Sequence, residues 1–215
     1  MPFRATIIGV TLVIIQTAIT PYNDYYLQGT DISGNHFPLG AIFTLIVLTL
    51  GINPILKKAR PKAGLTPEEL ITIWVMMVVS SAIPSKGMMG YLLPYLVAPL
   101  YFATSENEWA ETLYPNLPEW LIVRDKQAAT DFYAGESFVP WAAWAKPLLV
   151  WTIFIIVLYF VTICLSVILR KQWVERERFI FPLVAVPVEM VQGATSNSLL
   201  TALFKNKLMW LGFTI

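Results

Sequence analysis

Four residues carry the chemistry this sequence offers: Lys86, Glu189, Asp24 and His36, with Asp31 beside the last two. The chain is 56% hydrophobic and 13% charged, and an ionisable group next to long apolar segments is a functional candidate by default. Lys86 lies in PSKGMMG, where an uncharged run from Leu70 to Ile83 is interrupted. As a helix, Pro67 to Ile83 rises about 25 Å. That places Lys86 near a membrane surface, where a snorkelling lysine is the competing reading. Glu189 sits in FIFPLVAVPVEMVQG, four residues before Gly193, and reads either as an ionisable group on a pathway or as an interfacial glutamate in water. Asp24, Asp31 and His36 fall in PYNDYYLQGTDISGNHF. They are candidates for a cation or proton site, against solvated residues doing turn chemistry.

Other chemistries are poorly supplied. Glu108 and Glu111 share a helical face, as a general acid–base pair would, but nothing apolar surrounds them and a solvated face is the better reading. The single histidine, His36, and the single cysteine, Cys164, are too far apart in sequence to build a His/Cys metal site. No metal or cofactor is expected. HExxH, GxSxG and paired membrane aspartates are absent from the sequence, so the chain is not read as an enzyme. With a formal net charge of +1 and no long basic tract, nucleic acid is excluded as a partner.

The elements that must position these residues are membrane helices. A soluble domain carries nearer a quarter charged residues, and a mean hydropathy of +0.61 points to an all-α integral membrane protein. Four full spans are expected, at 3–20, 38–56, 67–83 and 147–169. Gln16 is the one strongly polar member of the first and is expected to bond a neighbouring helix. Thr66 caps the third span, Pro67 suits its first turn, and Glu68 and Glu69 complement its dipole. Pro84, Gly87, Gly90 and Pro94 then break the pattern. The polar region 103–146 reads as an aromatic cap at the bilayer surface. In it Ser105 with Glu108 forms a capping box, Asp125 caps a second short helix, and Gly135 ends it. Residues 179–204 form a second broken element around Pro182 and Pro187, with Thr195-Ser196-Asn197-Ser198 as an N-cap cluster. A further span begins at 208 and stops after eight residues, so the chain is expected to be the N-terminal part of a longer protein.

Lysine and arginine favour the cytoplasmic side of short loops. With Arg4 inside, Lys57, Lys58, Arg60 and Lys62 return inside. The cluster Arg170 to Arg178 also lands inside only if residues 84–102 are re-entrant or interfacial. The expected location is the inner membrane, multi-pass, with a cytoplasmic N-terminus. The partners are the lipid bilayer and the remainder of the chain, with a membrane complex or homo-oligomer as a further candidate.

Several stretches together carry a resemblance: TPYNDYY with GNHFPLG, LTPEEL with PSKGMMGYLLP, ATSENEWAETLYPNLPEW, VPWAAWAKPLL and RKQWVERERFIFPLV. They resemble the N-terminal part of a large family of bacterial polytopic membrane proteins of unknown function. That family is loosely similar to oligopeptide and metal-chelate transporters through the run Arg178-Phe179-Ile180-Phe181-Pro182. The residues that follow, Leu183 to Val186, depart from the small residues those carriers place there. The family resemblance implies a longer polytopic protein and no established activity; the looser likeness to those carriers points to a secondary transporter of a small polar solute, such as a short peptide or chelate. Two broken elements, one from each face, suit the same reading. The alternative is a non-catalytic scaffold or accessory subunit of a membrane complex.

Overall fold

The computed structural model describes residues 3–33, 37–135, 137–179, 181–194 and 200–214. Among these every regular element is helical and none is a strand. Four helices are long and apolar enough to cross a membrane: Phe3–Leu27, Leu39–Ala59, Pro61–Ser80 and Trp141–Arg176. The chain divides into two compact units, Met1–Gly90 with Phe181–Ile215, and Tyr91–Ile180.

The first unit is built on α1 (Phe3–Pro21) and α4 (Pro67–Ser80). The two run parallel, since Arg4 meets Glu69 near their starts and Gly9 meets Met76 further along. The buried stripe of α1 and the turn that follows it is Ala5, Gly9, Gln16, Thr20 and Asp24, steps of four and seven that keep one face inward. Its lower part is small. A Cβ at Gly9 would lie 2.5 Å from the Met76 sulfur, so the Met76 side chain of α4 packs directly over the Gly9 backbone. Its upper part is polar. Against α4 pack α2 (Leu39–Ile46), which continues through a wide π turn into α3 (Asn53–Ala59), and α9 (Pro182–Val191). Leu45, Leu70, Ile73, Met77 and Val191 belong to the resulting apolar core.

Local signals placed α4 correctly. The Thr66 hydroxyl accepts from Glu69 N at 3.2 Å, and the Glu69 carboxylate accepts from Thr66 N at 2.9 Å, a capping box with Pro67 at the first turn. Asn53 closes the basic loop by accepting from Leu65 N and donating to Leu65 O.

Several expectations are corrected. The first helix does not stop at residue 20 but runs on as a π turn, Tyr22–Leu27; Pro21 has no N–H to give the preceding turn, and the helix widens after it. The breaks at Pro94 and Pro187 are not breaks: α5 (Met88–Tyr101) and α9 pass through them. Pro182 takes the first turn of α9, where its missing N–H costs nothing. The Thr195–Ser198 cluster lies outside the described residues.

In the second unit, Ser105 and Glu108 form no capping box. Glu108 adopts φ 50°, and the reciprocal pair is Thr104 with Asn107. The helix that follows is a single turn, α6 (Trp109–Thr112). Asp125 does cap α7 (Lys126–Ala134) through Ala128 N at 3.1 Å, and Gly135 ends it at φ 72°. Tyr101, Phe102, Phe132, Tyr133 and Trp144 stack into one aromatic cluster with centroids 4.2–5.5 Å apart. Burial there pushes the Tyr133 phenol above its ordinary value. The long helix α8 (Trp141–Arg170) buries only Trp144 and Pro147, leaving an apolar face along nearly its whole length.

Candidate functional site

The site is the far end of the first unit, where the α1–α2 connection meets the turn between α4 and α5. Continuing α1 through the π turn keeps Asp24 on the inward stripe, eight residues beyond Gln16, and its side chain is 6% exposed. Its Oδ2 accepts from the Ser85 hydroxyl at 2.5 Å and its Oδ1 from Asn23 Nδ2 at 2.8 Å. Asn23 also donates to Thr30 O, folding the connection back over the helix end.

The opposing turn is sharply fixed. Ser85 sits at φ 49°, in the left-handed region that a side chain enters at a cost of about 1 kcal/mol. Its carbonyl accepts from Gly90 N at 2.5 Å, while Met88 N and Met89 N reach back to Ala82 O and Ile83 O at 2.9 Å. A Cβ at Gly90 would lie 2.9 Å from the Tyr25 hydroxyl and closer still to the Ser85 carbonyl. Gly87 and Gly90 therefore permit a tight turn at this break. Strain held by surrounding contacts is a pointer to function.

Beside this contact, Lys86 donates to Asp31 Oδ1 at 2.5 Å. That hydrogen bond, backed by the negative charges of Asp31 and Asp24, holds the Lys86 ammonium above the usual lysine value. Both partners are open to solvent, so the pair is worth little as a strut. Its interest is placement: consecutive residues Ser85 and Lys86 each hold a carboxylate of the α1–α2 connection.

Among the described residues the ion pairs are Arg4–Glu69, Lys86–Asp31 and Lys146–Glu119. Asp24 belongs to none of them. It is a buried carboxyl group held by neutral donors, where a cationic partner would ordinarily be expected. It is not a solvated turn residue. One storey lower, Gln16 does not bond a neighbouring helix: neither its amide nitrogen nor its amide oxygen has a partner, nor has the buried Ser33 hydroxyl.

Of the residues singled out from sequence, Asp24, Asp31 and Lys86 come together. His36 lies outside the described residues. Glu189 is exposed on α9 and accepts from Gln192 Nε2 at 3.4 Å. Ser85 was missed, although its place beside Lys86 in a Pro-Ser-Lys turn was a signal. The Arg4–Glu69 pair was also missed, because each partner already had an explanation, as a topogenic charge and as a dipole acid. In the second unit an open depression is lined by Glu119, Arg124, Asp125 and Lys146. Its charged side chains already have partners: Arg124 donates to Leu117 O and lies over the Tyr114 ring, Asp125 caps α7, and Lys146 faces Glu119. Among the described residues no group of three or more His, Cys, Asp or Glu side chains is placed to hold a metal ion.

These features define the class: an all-helical protein with four helices of membrane-crossing length and a buried polar site at one end of a parallel helix pair. Residues 1–215 match a family of unknown function, DUF6785, and the chain belongs to that family. Neither the curated proteins nor the solved structures contain a significant match to it.

Proposed function

We propose that the chain forms part of a secondary membrane transporter for a small polar solute, with Asp24 as the ionisable group of its pathway. The observation that carries this is the Asp24–Ser85 contact: a buried carboxyl group without a cation, held by a strained turn between two helical segments. Irregular backbone at the end of membrane helices is tolerated where protein or a water-lined cavity satisfies it, and transporters put such segments at their sites. In this reading the basic end, with Lys57, Lys58, Arg60 and Lys62, faces the cytoplasm, and the Asp24 end faces out. Lys86–Asp31 is the exposed latch that closes over it.

The test is uptake of a panel of small polar solutes by the full-length protein in proteoliposomes, with Asp24→Asn alongside. Transport requires an accumulated solute whose uptake falls by about tenfold or more in the variant, the loss expected when a charged hydrogen-bonded group is removed. A panel in which nothing accumulates favours a second reading. The unpartnered apolar length of α8 also suits a scaffold that docks against other membrane helices.

A further inference from the structure

In the second unit the face of α7 that carries Ala128, Asp131, Phe132 and Gly135, residues at helical spacing, lines a cleft. Val139, Pro140 and Trp144 line it from the other side, where the chain enters α8. Its volume is about 220 Å³. Sites for drug-sized ligands run to roughly 300–1,000 Å³, so this one suits a single small group.

The lining has one sign of charge. Asp131 is half-buried, and its Oδ1 accepts from Gln127 Nε2 at 2.7 Å. That donor is neutral, and none of the ion pairs among the described residues includes Asp131. The cations of the unit are placed elsewhere: Arg124 lies over Tyr114, Lys146 faces Glu119, and Lys126 stands at the opposite end of α7. Because α7 ends at Gly135, the negative end of its dipole opens on the same cleft. Two rings complete the lining. Phe132 and Trp144 have centroids 5.5 Å apart at an interplanar angle of 44°, and Trp144 is only 5% exposed. The start of α8, whose dipole end is positive, also reaches the cleft at Pro140. Its first N–H groups are already taken up by the chain, Trp141 N donating to Val139 O and Ala143 N to Pro140 O, both at 2.9 Å.

We infer that this cleft binds a small organic ammonium ion, with its carbon groups on the Phe132 and Trp144 rings and its charge against the Asp131 carboxylate. A cation is attracted to the face of an aromatic ring, most strongly for tryptophan and where water is excluded. Each half of the lining alone would select something else. Two rings without a charge would take any small apolar group, which here leaves the Asp131 carboxylate unanswered. A carboxylate alone would suit a hydrated metal ion, but one carboxylate supplies too few oxygen ligands to hold it, and rings supply none. The inference rests on the second unit and does not depend on the transport reading.

The experiment is saturation-transfer NMR on the purified full-length protein in an amine-free detergent. Choline is the probe, and dimethylbutanol, its uncharged carbon analogue of the same shape, is the control. Saturable choline binding is expected, with the strongest transfer at the N-methyl protons and the alcohol weaker by about tenfold. Asp131→Asn keeps the size and removes the charge; it should weaken choline by about tenfold and leave the alcohol unchanged. Phe132→Leu keeps an apolar contact and removes the ring, and should weaken choline by about threefold. Circular dichroism checks that each variant keeps its helices. Repeating the titration in phosphatidylcholine and in phosphatidylglycerol nanodiscs separates two sources of the same group. Choline excluded only from the first means that a lipid headgroup fills the cleft, and choline bound in both means a free solute; either keeps an ammonium at Asp131. Three results overturn the inference: no saturable choline binding in detergent, choline and the alcohol binding alike, or choline binding unchanged in both Asp131→Asn and Phe132→Leu.

Discussion

The two ends of the α1–α4 pair handle a buried carboxylate in opposite ways. At one end Arg4 grips Glu69 with both arms of its guanidinium, Nε to Oε1 at 3.0 Å and Nη2 to Oε2 at 2.6 Å, and also donates to Ala63 O and Gly64 O. Glu69 spends its remaining capacity on the capping box. Charge, geometry and local fold are all satisfied, and such a clamp has one arrangement. At the other end Asp24 receives a serine hydroxyl and an asparagine amide, neither charged, across a turn that holds Ser85 in an unfavourable conformation. The first carboxylate anchors two helices. The second joins two helical segments through neutral donors alone.

Breaking the clamp should have the largest effect. Arg4→Met leaves Glu69 buried without its cation, and a loss of about 2 kcal/mol is expected, less than for a fully enclosed pair because Arg4 is partly open to water. Thermal unfolding in detergent checks it. A comparable loss from Asp24→Asn would erase the contrast between the ends. Overpacking the opposing turn comes next. Gly90→Ala drives a methyl group into the Ser85 carbonyl and the Tyr25 hydroxyl, costing about 1–3 kcal/mol by the same assay.

A smaller and more pointed effect separates strain from bonding at Ser85. Both Ser85→Ala and Ser85→Gly remove the hydroxyl that serves Asp24, but only glycine accepts φ 49° freely. The glycine variant should be more stable than the alanine variant by about 1 kcal/mol, and equal stabilities would show that the turn is unstrained. The smallest effect belongs to Lys86. Its folded value lies above the unfolded one, so its contribution is complete below the unfolded lysine value, about 10.4, and is lost as pH rises through the folded value. Lys86→Met should therefore lower stability slightly at neutral pH and flatten the alkaline limb, the two profiles converging above the folded lysine value.

The helical architecture was largely legible because it rests on local signals. Uninterrupted apolar runs marked the long helices, Thr66-Pro67-Glu68-Glu69 marked the start of α4, and Asp125 marked that of the short α7. What failed were inferences from single residue types. Pro94 and Pro187 were read as breaks, yet a helix packed on its neighbours tolerates a lost bond. Ser105 and Glu108 had the spacing of a capping box, but Thr104 and Asn107 took that geometry one residue earlier. The site was half legible. Asp24 and Lys86 stood out as charges, and their convergence depends on a π turn after Pro21 and a left-handed serine at 85, neither of which a hydropathy pattern encodes. Gln16, Thr20 and Asp24 did carry a readable hint, four-residue spacing on one helix face.

In the proposed pathway the Asp24 end exchanges partners while the Arg4 end stays fixed. The direct test is thiol accessibility in the full-length protein with Cys164→Ser as background. Ser33→Cys and Ala5→Cys are both buried positions in the first unit, one towards each end of α1. Ser33→Cys is expected to react with a membrane-impermeant reagent from one side only and faster when Asp24→Asn is added, while Ala5→Cys stays protected in both backgrounds. Equal protection of the two cysteines, or labelling of both at the same rate, would contradict it.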